Sequence, residues 1–254
     1  MNDTIMENIK NNLSILGLRN TYQNIDEYLG NAIANKITLT EFLDLIFDRE
    51  AKTKANRATE NQIKMAAFPQ RKTFELYDFS FQPNIDIEQI NELRTLRFID
   101  NAENVIFLGT PGVGKTHLAI ALGITAIEHK YSTYFINCHQ LIQNLLKANH
   151  ENRLEDKLKQ YAKYKVLIID EIGYLPTSLE GANLFFQLIA KRYEKHSTIF
   201  TTNKNFGEWS DIFQDNTISA AILDRILHHS NVIKIIGDSY RLKERSEYLL
   251  SKKQ

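Results

Sequence analysis

Residues 109 to 116 read Gly109-Thr110-Pro111-Gly112-Val113-Gly114-Lys115-Thr116, a glycine, four residues, then Gly-Lys-Thr. Glycines let a backbone curl tightly enough for successive N–H groups to converge on phosphate oxygens. Lys115 adds a point charge for the terminal phosphates, and Thr116 offers a hydroxyl to magnesium. The chemistry implied is binding of ATP with Mg2+. A dinucleotide fingerprint fails, because His117 stands where its third glycine belongs. His117 instead joins the loop as an expected nucleotide contact, at the start of a helix predicted over 117–128.

A second group of polar residues adds reaction to binding. Val166-Leu167-Ile168-Ile169-Asp170-Glu171 reads as a central strand ending in two carboxylates. Asp170 is placed to hold the magnesium shell and Glu171 to polarise a water for attack on the γ-phosphate. Taken alone, the segment also fits a buried strand with an ordinary acidic turn; after a complete phosphate loop it favours ATP hydrolysis. Thr198 to Thr202 forms a β-branched run that ends at Asn203, whose amide suits the orienting of that water, as it also suits a plain turn. Arg225 and Arg241 follow. A guanidinium reaching the γ-phosphate is worth roughly 10³–10⁵ in rate and can come from a neighbouring molecule. Spacing does not say which subunit's site either arginine serves.

These residues need a frame. Val105 to Leu108, Thr133 to Ile136, Val166 to Ile169, Thr198 to Thr202 and Val232 to Ile236 are short apolar runs separated by helical stretches. Such alternation predicts an α/β fold, a parallel sheet covered by helices on both faces, with chemistry at the carboxyl ends of its strands. Before it, residues 1–75 read as a small all-helical domain: Thr38 and Glu41 fit a capping box, and Phe42, Leu45 and Ile46 give one apolar face. A basic stretch with Arg49, Lys52, Lys54, Arg57 and Lys64 follows, and the junction is placed within 70–83, so that 76–254 forms the ATPase domain.

Composition narrows the classes. The chain has 254 residues, 31 basic and 31 acidic, so no global field draws in nucleic acid and any DNA contact must be local. The helical stretch 139–165 supplies candidates in Lys147, Arg153, Lys157 and Lys159, although Glu151, Glu155 and Asp156 equally suit a solvated helix with internal ion pairs. Contacts there would fall mainly on phosphate. Cys138 is the only cysteine, which rules out an internal disulfide or a cysteine-based zinc cluster. The seven histidines lack ligand spacing, and the adjacent His228 and His229 are expected on different sides of a helix rather than at a metal. No signal sequence or membrane span is apparent, so a cytoplasmic location is expected.

Together these residues resemble the AAA+ ATPases, and more narrowly the IstB-like helpers of insertion-sequence transposition, with the DnaC-type helicase loaders as relatives. The likeness extends over nearly the whole chain and is strongest at 180–187, 202–209, 223–230 and 239–243. Thr110 stands where many relatives carry proline. The resemblance implies that Lys115 and Thr116 belong to Walker A, Asp170 and Glu171 to Walker B, and Asn203 to sensor 1. It makes Arg225 an arginine finger given to a neighbouring subunit and Arg241 the sensor 2. It further implies a homo-oligomer that assembles on double-stranded DNA with ATP and recruits or stimulates a transposase; the alternative is a replicative helicase loader. The short stretch after Asn203 disfavours an origin-recognising initiator of the DnaA kind.

Overall fold

The computed structural model describes residues 2–243 and 245. It divides into two compact units, Met1–Asn61 and Gln62–Gln254. The division precedes the 70–83 segment because Ile63, Ala66 and Phe74 belong to the core of the larger unit.

In the smaller unit, helices α1 (Asn2–Ile15), α2 (Arg19–Ala34) and the first part of α3 (Leu39–Met65) surround a small core of Ile25, Tyr28 and Ile46. The capping box forms: Thr38 N–H donates to Glu41 Oε2 at 2.7 Å, and Glu41 N–H to Thr38 Oγ1 at 3.3 Å. Glu50 is buried, yet its Oε2 accepts from both the N–H and the hydroxyl of Thr21, in the first turn of α2. A helix N-terminus favours a negative charge there.

The larger unit is built on five parallel strands: β1 (Asn104–Gly109), β2 (Thr133–Asn137), β3 (Val166–Ile172), β4 (Ser197–Thr202) and β5 (Ser230–Ile235). Their order is β2-β3-β4-β1-β5. Each of the five predicted runs falls in one of them, apart from Ile236, which lies one residue past the end of β5. Side chains alternate between faces, as a strand requires. Val105, Phe107, Val166, Ile168 and Ile199 face a core shared with α4 (Ile87–Arg94), α5 (Arg97–Asp100) and α6 (Lys115–Glu128). Ile106, Leu167, Ile169 and Phe200 face a second core with α7 (Cys138–His150), α8 (Leu154–Ala162), α9 (Leu179–Arg192), α10 (Trp209–Phe213) and α11 (Asn216–Leu227). Both faces being covered explains why the strands read as continuous apolar runs. No helix among the described residues is long and apolar enough to cross a membrane.

One buried cation fastens the sheet to its helices. The Arg192 guanidinium, at the end of α9, donates to the carbonyls of Tyr161, Ala162, Tyr164 and Ser197 and to the Thr198 hydroxyl. These acceptors lie around α8 and at the start of β4.

Two local expectations are corrected. The 139–165 stretch is two helices, because Asn152 takes a left-handed φ of 55° just after α7; asparagine tolerates that conformation and so ends helices. His228 and His229 do not point apart on a helix. Helix α11 stops at Leu227, and beyond it both imidazoles approach Glu194, with ring centroids 3.9 Å from each other.

Candidate functional site

The strand ends deliver their polar residues to one place. A cleft of about 820 Å³ is lined by residues 111–117 of the glycine-rich loop and by Asp170, Glu171, Asn203 and Arg241. Gly109 and Thr110 close the loop from beneath, their carbonyls each accepting from Lys115 Nζ at 2.8 Å. The lysine is thus held on its own loop, in the position from which a phosphate would recruit it. Gly112 and Gly114 take φ values of 86° and 96°, open to glycine at no steric cost. Neither has room for a Cβ: at Gly112 it would lie 2.0 Å from Ser239 Oγ, and at Gly114 2.5 Å from Tyr77 Cε2.

Asp170 and Glu171 are neighbours on β3, where a regular strand would send them to opposite faces. The register of β3 against β4 shifts between Ile169 and Ile172, and Glu171 adopts a φ of 61°. This irregularity brings both carboxylates to the cleft. A non-glycine residue in that conformation costs about 1–3 kcal/mol, and such strain collects at functional sites. Thr201 secures the distortion, its hydroxyl accepting from Glu171 N–H at 2.9 Å and donating to Asp170 Oδ1 at 2.5 Å. The Thr116 hydroxyl donates to the same oxygen at 2.8 Å.

Charge in the cleft is mixed. Burial, more than any neighbour, raises the Asp170 pKa above the ordinary carboxylate value, and the Thr201 and Thr116 hydroxyls oppose that shift. Burial likewise lowers the Lys115 pKa, opposed by Asp170; Arg241 lowers it further, which places that guanidinium within electrostatic reach of the lysine. His117 lines the cleft while one ring nitrogen is bound to the protein. Its Nε2 lies 2.7 Å from the Thr73 carbonyl, which only accepts, so Nε2 carries the proton.

Several cleft residues escaped the sequence reading. Asn137, at the end of β2, donates from Nδ2 to Glu171 Oε2 at 2.7 Å while its Oδ1 caps α7 through His139 N–H at 2.9 Å. Its position at the carboxyl end of a strand was the available signal. The Tyr77 hydroxyl donates to Val113 O at 3.0 Å, and Tyr240 N–H donates to Gly112 O at 3.0 Å, so two distant segments brace the loop. Asn203 Oδ1 is buried with no protein partner.

A family model described as IstB-like ATP binding protein matches residues 11–248. The chain belongs to the IstB-like ATP-binding family. Over 238 residues this IstB-like chain is 49% identical to a protein of Bacillus thuringiensis subsp. berliner named for insertion sequence IS232 and ATP binding, covering 94% of the chain and 95% of the relative. A Pseudomonas aeruginosa protein named for insertion sequence IS21 and ATP binding is 46% identical over 233 residues, 92% of the chain and 88% of the relative. Among solved structures, DnaI superposes with a TM-score of 0.56 at 22% identity, over 65% of this chain and 91% of its own. The replication initiator DnaA, bound to AMPPCP and single-stranded DNA, gives 0.58 at 16% identity, over 73% and 56%. At those identities the likeness is one of fold, the AAA+ P-loop architecture, which in this chain follows a small helical N-terminal unit in sequence.

Two groups of expected residues in the IstB-like chain lie away from the cleft. Arg225, on α11, stacks its guanidinium 4.7 Å from the Phe186 ring and donates to Ala221 O at 3.0 Å; it does not line the cleft formed by its own chain. Lys147, Arg153 and Lys157 share a hollow of about 340 Å³ between α7 and α8, together with Glu151 and Asp156. Arg153 is paired with Glu151, and Lys157 lies 5.1 Å over the Tyr161 ring. Lys159 lies outside that hollow and pairs with Glu155 at 3.8 Å.

Proposed function

We propose that this IstB-family chain is an ATPase that assembles on double-stranded DNA when ATP is bound and recruits or stimulates a transposase there. The observation that carries the enzymatic part is the convergence of Lys115, Thr116, Asp170, Glu171, Asn203 and Arg241 on one cleft, with Arg225 outside it.

The phosphate loop holds the triphosphate of ATP through its N–H groups, and Lys115 exchanges its two carbonyl partners for phosphate oxygens. Thr116 and Asp170 would hold Mg2+, since a hydroxyl and a carboxylate are the hard oxygen donors that ion takes, with Asp170 Oδ2 free of hydrogen bonds to either threonine. The ion supplies neutralisation of phosphate charge. Glu171 accepts a proton from the attacking water once its oxygen leaves Asn137, and Asn203, whose Oδ1 lacks a protein partner, orients that water. Arg241 supplies charge near Lys115. Arg225 serves the site of an adjacent copy, which makes the active species a homo-oligomer.

The insertion-sequence assignment rests on the relatives, whose names tie them to such elements. Lys147, Arg153 and Lys157 are the phosphate contacts this reading favours, with Lys159 at their margin, and the working location is the cytoplasm. A mixing experiment tests the assembly: Arg225→Ala and Lys115→Ala chains, each inactive alone, should regain ATP turnover on duplex DNA when combined. No rescue at any ratio would overturn the shared site. DNA affinity independent of salt would overturn the phosphate contacts.

A further inference from the structure

Outside the cleft, one cluster brings together residue types that sequence spacing kept apart. Glu194 follows the end of α9, and His228 and His229 follow α11; one ligand atom from each lies within 4.8 Å of the others. Glu194 Oε1 is 3.8 Å from His228 Nδ1 and 3.7 Å from His229 Nε2. Tetrahedral zinc, with bonds of about 2.0–2.2 Å, sets its ligand atoms about 3.3–3.6 Å apart, so the two carboxylate–imidazole pairs need contractions of a few tenths of an ångström and the imidazole pair, within 4.8 Å, at most about 1.5 Å. All three side chains are about half exposed, which leaves an approach open to an ion and a position open to a fourth ligand.

Two further features point the same way. Glu194 has a left-handed φ of 56°, a conformation that a long side chain takes only at a cost and that here sets its carboxylate against the imidazoles. The Tyr193 hydroxyl lies 2.6 Å from His228 Nδ1, so a phenolic oxygen stands beside the atom that would ligate, within reach of the open fourth position.

We infer that Glu194, His228 and His229 form a binding site for a zinc-class divalent cation, separate from the nucleotide cleft. Two imidazoles and a carboxylate suit Zn2+, whereas Mg2+ and Ca2+ take all-oxygen shells. Coordination through His228 Nδ1 displaces the Tyr193 hydroxyl from that nitrogen. The ion ties the end of α9 to the end of α11, and α11 carries Arg225, whose guanidinium already lies over Phe186 of α9. Occupancy therefore stiffens the pair of helices that presents this arginine.

The test uses the full chain without a polyhistidine tag, stripped with chelator and free of nucleotide. Cobalt(II) is titrated as a spectroscopic substitute, and zinc retention is measured by equilibrium dialysis. The wild type is expected to give a visible ligand-field band and to retain zinc. Glu194→Gln and His229→Ala should lose both while melting within a degree or so of the wild type without metal. Asp170→Asn should keep both, which separates this site from the nucleotide cleft. A wild type with neither signal, or variants that bind as the wild type does, would overturn the site.

Discussion

Asn137→Ser is the sharpest probe of how Glu171 is controlled. Asn137 has two duties: its oxygen caps α7, and its amide donates to Glu171 Oε2 at 2.7 Å. Serine is an equally good N-cap but is too short to reach the carboxylate, so the substitution removes one duty and keeps the other. A hydrogen bond to a charged group contributes about 1.5–3 kcal/mol, and Glu171 is only half-buried, so the lower end, about 1.5 kcal/mol, applies. If that bond must break before Glu171 can take a proton from water, its removal lowers the barrier by the same amount, about tenfold in rate. Steady-state ATP turnover without DNA should rise about tenfold in Asn137→Ser. If binding of DNA and partner is what releases the bond in the proposed assembly, the rate in their presence should stay near the wild-type value. Turnover at or below the wild-type level, with nucleotide affinity and melting temperature intact, would refute the restraining role and make Asn137 a group that positions the base.

Glu171→Gln should bind ATP normally and lose about 10²–10⁴ in turnover, the usual contribution of a general base; equal turnover by phosphate-release assay would remove that role. In metal-free protein, the raised Asp170 pKa means that the native state holds a proton more readily than the unfolded chain, so the cost of this carboxylate is fully present at neutral pH and is relieved as pH falls through the raised value. Asp170→Asn should therefore melt above the wild type at neutral pH without Mg2+, with the gap closing on acidification; a pH-independent gap would contradict this. Arg192→Met leaves four carbonyls and a hydroxyl without their donor, a loss of about 4 kcal/mol, which calorimetry should read as a fall of roughly 8–16 °C in Tm.

The phosphate loop and the five strands were legible in the sequence because each depends on local spacing: a glycine pattern, or an apolar run bounded by polar residues. Asp170, Glu171 and Asn203 were legible as strand ends for the same reason. The bond between Asn137 and Glu171 was not, because it needs β2 to lie beside β3 and needs the left-handed turn at Glu171 to swing a side chain that alternation would send away. The cluster at Glu194 failed differently. Extending α11 past Leu227 separates His228 from His229, and only the stop of that helix, reached without any glycine, lets them meet. Tyr77 and Tyr240 were hidden by distance along the chain, since nothing local says that both reach one loop.

That double bracing limits how the protein can be divided. A fragment cut to the sheet alone, from β1 to β5, would retain every glycine of the phosphate loop yet lose Tyr77 on one side and Tyr240 on the other. The smallest fragment able to keep the loop in shape must start before Tyr77 and continue past Tyr240, and a fusion joined just after β5 would intrude on the space that Ser239 fills against Gly112.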